Sequence, residues 1–107
     1  MTLHQALANR LLEAAPLSEL RVAADQCTYF TLWTATDGEI TGAVQCGNST
    51  THYPAIFSKP DGSWSTECGC AMATHGHICC HTVVLAAAVL HNTPLRATYS
   101  YTPALAA

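Results

Sequence analysis

Charge is what this sequence has least of. Only 10% of its 107 residues are Asp, Glu, Lys or Arg, against roughly 25% in an average soluble domain. The basic residues are Arg10, Arg21, Lys59 and Arg96, scattered along the chain, and seven acidic residues leave a net charge of −3. No basic stripe exists to neutralise phosphates, which argues against strong autonomous nucleic-acid binding. Charge normally keeps a surface solvated and unassociated. A chain this poor in it is either an ordinary Ala- and Thr-rich domain or one whose surface is partly covered by a protein partner or a second copy. Long apolar runs are also missing. The longest, Val83 to Leu90, falls short of the roughly 18 residues of a membrane span. The first residues lack the charged start and apolar run of a secretory leader. The expectation is a cytoplasmic protein with no membrane contact.

Motifs of catalysis are absent too. There is no Gly-rich phosphate loop and no His-Glu-x-x-His, and no His-x-Glu accompanies the cysteine pairs. The chain is therefore not expected to be an enzyme or to take a small-molecule substrate. Six cysteines are present. In a reducing compartment they point to metal before disulfides.

The length fits one domain over residues 1–107. Residues 2–15 are predicted to form a helix: Thr2-Leu3-His4-Gln5 has the form of a capping box, and Leu3, Leu7, Leu11 and Ala14 make one stripe. Such a stripe serves core packing or a partner. Pro16 is expected to stop the helix. Residues 19–58 read as sheet. Tyr29, Thr31, Trp33 and Ala35 alternate with Thr28, Phe30, Leu32 and Thr34. Asp37-Gly38 signals a hairpin, followed by a strand from Glu39 to Cys46 with Gly42 as a candidate bulge. Tyr53 to Ser58 is a further strand, with Pro54 at an edge or a strand start. Lys59-Pro60-Asp61-Gly62 turns the chain into a strand over Ser63 to Cys68. Residues 71–78 read as an irregular link. A helix over Cys80 to His91, apolar all round, must be covered on two sides. Residues 92–107 read as an extended tail, with a short strand around Arg96 to Tyr101. The fold class is α+β: a small antiparallel meander, an N-terminal helix and a metal-clipped C-terminal helix.

The chemistry-bearing segment is Cys68-Gly69-Cys70, an eight-residue link, then Cys79-Cys80-His81. A structural zinc ion takes four tetrahedral ligands, mostly thiolate and imidazole. Cys68, Cys70, Cys79 and His81 supply that set. On an extended backbone Cys68 and Cys70 point to one side. Residues i and i+2 of a helix diverge, so Cys79 is expected just before the helix and His81 in its first turn. Three thiolates around Zn²⁺ leave a net charge near −1, beside the positive end of the helix dipole. Cys80, His75 and His77 lie close enough in sequence to compete as ligands. The expected roles are a buried thiol pointing away from the metal for Cys80 and exposed loop residues for the two histidines. Cys27 and Cys46 read as small buried groups, a disulfide between them being disfavoured in a reducing cytosol. Glu67 is expected to face solvent. His4, His52 and His91 stand isolated and call for no special role.

This pattern resembles the SWIM zinc finger: Cys-x-Cys, a variable link, then Cys-x-His leading into an apolar helix. Here it reads Cys68-Gly-Cys70 and Cys79-Cys80-His81, followed by Thr-Val-Val-Leu-Ala-Ala-Ala, with Tyr53 and Trp64 at the places of the family's flanking aromatics. The similarity spans residues 53–91. The position before the His is often basic in the family and is Cys80 here. The resemblance implies Zn²⁺ on the four named residues. It also implies interaction work, since family members occur in remodelling ATPases, transposases and recombination-accessory proteins. The expected function is a zinc-binding module for protein–protein contacts in a DNA-associated complex. The alternatives are a DNA-binding accessory factor, with Trp33, Trp64 and tyrosines as stacking groups, or a redox or metal-handling protein using Cys79-Cys80.

Overall fold

The N-terminal helix forms where its capping box places it. In the computed structural model, which describes residues 2–47, 50–74, 76–91 and 98–99, α1 spans Leu3–Ala14. Thr2 Oγ1 accepts from Gln5 N at 3.1 Å, and Gln5 Oε1 accepts from Thr2 N at 2.9 Å. Two orphan amides at the helix start are thereby satisfied. Leu7 and Leu11 are buried, whereas Leu3 projects into solvent.

The chain next departs from expectation. Residues 19–26, expected in the sheet, instead belong to a second helix, α2, Leu17–Gln26. Pro16 does end α1, but it also starts α2. Its φ of −61° suits an N-cap, and its carbonyl accepts from Glu19 N and Leu20 N at 3.0 and 3.1 Å. Proline is tolerated at such a start because its missing N–H is not needed there. Glu19, Ala23 and Ala24 face inward at helical spacing. With so few large apolar residues, the segment carries a weak helical signature, and packing supplies the rest.

Four strands follow the predicted meander: β1 Cys27–Ala35, β2 Glu39–Cys46, β3 Ala55–Ser58 and β4 Trp64–Glu67. Each pairs antiparallel with the next. The segment 53–54 stays outside β3, since Pro54 has no N–H to give to a ladder. His52 bridges instead to Val44. A turn with Gly62 in the left-handed region (φ 85°) joins β3 to β4. Of the expected tail, only β5, Thr98–Tyr99, is described; it pairs with Phe30 and Thr31. The sheet order is β4-β3-β2-β1-β5.

The irregular link expected over 71–78 contains a short helix, α3, Ala71–Thr74. Helix α4 spans Cys80–Leu90, and every residue from Cys80 to Val89 is buried. It lies between the sheet on one side and α1 and α2 on the other, so the all-apolar helix gains both of the covers it requires. Its own Leu85 is fully buried, as are Leu11, Leu32, Ile40 and Ile56. At Gly42 the sheet and α4 approach closely: a Cβ there would run into the Thr31 carbonyl and Leu85 Cδ2. The β1–β2 register slips at the same place, between Leu32 and Thr34, so the extra residue is Trp33 on the partner strand. The architecture is α+β, as the sequence pattern predicts. Among the described residues, no helix is long and apolar enough to cross a membrane.

Candidate metal centre

The four sequence-predicted ligands converge. Cys68 follows β4 directly and Cys70 precedes α3, so the sheet edge delivers one thiol pair. Cys79 is the N-cap of α4, with extended backbone (φ −98°, ψ 163°), and His81 lies in the helix's first turn. That kink lets residues i and i+2 face one point, which a continuous helix forbids. One donor atom from each of Cys68, Cys70, Cys79 and His81 lies within 4.8 Å of all the others. A tetrahedral shell with bonds of about 2.0–2.3 Å has corners about 3.3–3.8 Å apart, inside that 4.8 Å limit, so these four donors could hold one metal ion. Cys79 and His81 are buried, while Cys68 and Cys70 are half-buried.

Hydrogen bonding within the cluster shows how tightly the donors are coupled. The bond from Cys68 brings the Cys79 thiol down to about 3 against the effect of its burial. The same bond, reinforced by burial, pushes Cys68 well above the ordinary thiol range. Burial disfavours a charged His81, but its bonds to Cys79 and Cys80 outweigh that and raise it to about 10. Thiolate and imidazolium thus offset each other, and a divalent cation would take over that role from the proton. Thr82 braces the N-cap, its hydroxyl donating to the Cys79 carbonyl at 2.9 Å.

Other residues stand as expected or nearly so. Glu67 and His77 are exposed. His75 lies outside the described residues. Cys27 and Cys46 are buried free thiols facing each other across β1 and β2. Cys80 is buried and is not one of the four donors, but it is not simply directed away: its Sγ lies 3.8 Å from His81 Nδ1. Three contacts escape the sequence reading. Glu19, buried on α2, reaches across 61 positions to accept from Cys80 N at 3.1 Å. It caps the buried amide end of α4 beside the donor cluster. The ring of His52 lies against that of His81, with centroids 4.2 Å apart. Cys46, Cys80 and His81 form a second close group. None leaves a local signal, since each depends on the packing of α4.

Comparison with protein-family models, with curated proteins and with solved structures finds no match. The site therefore rests on its own geometry: three sulfurs and an imidazole, from two segments joined by a short helix, gathered to the span of one metal shell.

Proposed function

We propose that this chain is a SWIM-type zinc module whose metal is structural and whose work is protein–protein contact. The observation that carries the reading is the convergence of Cys68, Cys70, Cys79 and His81 within 4.8 Å. Four strong ligands fill a zinc shell and leave no open position for catalytic water. The metal ties the end of β4 to the start of α4, the helix on which the whole core packs. Apparent zinc-binding energies of about 10–16 kcal/mol are comparable to the total stability of a small domain, roughly 5–15 kcal/mol. Holding the fold is thus a sufficient role for the ion.

Support for contact with other proteins comes from the surface. Leu3 and Leu17 are exposed, and Trp33 and Tyr53 stack on the sheet with centroids 5.5 Å apart while remaining 53% and 61% exposed. Beside this pair runs a groove lined by Tyr53, Ala55, Thr66, Glu67 and Cys68. Aromatic anchors surrounded by little charge are characteristic of protein interfaces. Native mass spectrometry tests both halves of the proposal. One zinc per chain, with a second copy or a co-purifying protein, supports it; a metal-free chain contradicts the zinc role, and a zinc-loaded monomer that captures nothing contradicts the contact role.

The Trp33–Tyr53 pair also favours a second reading, a nucleic-acid accessory role in which exposed rings stack on unpaired bases. The net charge of −3 weighs against it. Quenching of tryptophan fluorescence by a single-stranded oligonucleotide at low salt, lost in Trp33→Ala, would favour this reading over the first.

A further inference from the structure

We infer that Cys46 and Cys80, closed over by His81, form a second buried metal site, one suited to a soft monovalent ion of the Cu(I) class. The zinc reading uses neither cysteine. Cys46 ends β2 and Cys80 opens α4, so the site joins the sheet to the helix from the inner side of the zinc cluster. Their sulfurs and a ring nitrogen of His81 lie within 4.8 Å of one another, and all three residues are buried. Residual exposures are 9%, 7% and 6%, which leaves little room for a water ligand.

The donor set selects the ion. Zn²⁺ prefers four ligands, and among the described residues three donors are mutually close here. Soft thiolates favour Cu(I), which is satisfied by two or three of them. Cys27 faces Cys46 across the strands and its thiol is hydrogen-bonded to that of Cys46, but it is not among the three mutually close donors. His81 belongs to both groups, and a neutral imidazole has a single lone pair. With zinc on one ring nitrogen, the other carries its proton; Nδ1 is the nitrogen 3.8 Å from Cys80 Sγ. The second ion is then held by two thiolates, with the imidazole N–H directed at one of them, the outer-shell arrangement that orients metal-bound histidines. Two S–H protons leave to solvent as two Cu–S bonds form, giving a net charge of −1 that the His81 N–H partly offsets. This division of the imidazole rests on the zinc reading; the pairing of Cys46 with Cys80 does not.

The test is an anaerobic titration of the zinc-loaded protein with Cu(I) against a chromophoric chelator, with both metals counted by native mass spectrometry. One Cu(I) should bind while the zinc is retained. Cys46→Ala and Cys80→Ala should each keep one zinc and weaken Cu(I) binding by more than about 100-fold, the upper end of what loss of an outer-shell partner costs. Cu(I) that enters only as zinc leaves, or variants that bind it like the parent, would overturn the inference. Should either variant fail to fold, copper-edge X-ray absorption of the parent protein decides instead: a two-sulfur shell supports the site, and a shell of three or more sulfurs contradicts it. In a chain that takes up no zinc, the zinc reading fails separately. In metal-free protein both thiol clusters are open to Cu(I); binding weakened in Cys46→Ala and Cys80→Ala but not in Cys68→Ala or Cys70→Ala would then support this site, and the reverse pattern would overturn it.

Discussion

Removing the Glu19 carboxylate should destabilise the protein from a position far in sequence from every proposed ligand. Glu19 is only 8% exposed, and its Oε1 accepts the Cys80 amide at 3.1 Å. That amide is one of the orphan donors at the start of α4. Glu19→Ala removes a hydrogen bond to a charged acceptor, worth about 1.5–3 kcal/mol, and leaves a buried N–H without a partner. Loss of a negative charge at the helix N-terminus adds about 0.3–1 kcal/mol. The sum is about 2–4 kcal/mol. For a domain near this size, 1 kcal/mol moves Tm by about 4–8 °C, so the variant should melt at least about 8 °C lower. Glu19→Gln keeps an acceptor oxygen and should recover about half the loss. The assay is thermal and urea unfolding at one fixed excess of zinc, because a ligand that binds the folded state shifts apparent stability by mass action. Metal content must be counted in each variant. If Glu19→Ala unfolds within about 0.5 kcal/mol of the parent, as an ordinary surface change does, or if Glu19→Gln is equally damaging, the capping argument is wrong.

Other consequences follow from the same contacts. Gly42→Ala drives a methyl group into the Thr31 carbonyl and Leu85; it should cost at least about 1–3 kcal/mol in urea unfolding, and a neutral result would mean that β2 and α4 are not so close. Chelation of the metal should release amide-exchange protection over residues 64–91 first, because that segment is what the ion joins; protection unchanged by chelator would contradict a structural role. Zinc affinity should fall as pH falls. Cys79, held down near 3, is already a thiolate at neutral pH. Cys68, pushed up by its bond to Cys79, and His81, raised to about 10, hold protons that the metal must expel. At least these two protons are released, so affinity should change by at least about a hundredfold per pH unit below neutrality, and a flat profile in competition titrations from pH 8 to 6 would refute this.

Much of this architecture is legible in local sequence, for definable reasons. The capping box at Thr2 and Gln5, the Asp37-Gly38 hairpin and the alternation along β1 act through neighbours in the chain, so the residues announce the element. The convergence of the four donors is likewise written in spacing: an extended Cys-x-Cys and a Cys-x-His that straddles a helix start leave few other arrangements. Helix α2 is different. Its inward positions are mainly Ala23, Ala24 and a glutamate, and Pro16 reads as a stop although it also serves as a start. Glu19 resembles a surface residue until α4 lies against it. The approach of Cys46 to Cys80, and of His52 to His81, depends on how β2 meets α4, which no short-range pattern encodes.

The proposed function depends on the identity of one coordination shell. Zinc-edge X-ray absorption of the purified protein reads it directly. Three sulfurs at about 2.3 Å and one nitrogen at about 2.0–2.1 Å are expected. A shell containing oxygen, a shell with fewer than three sulfurs, or a folded protein with no bound zinc at all would contradict it.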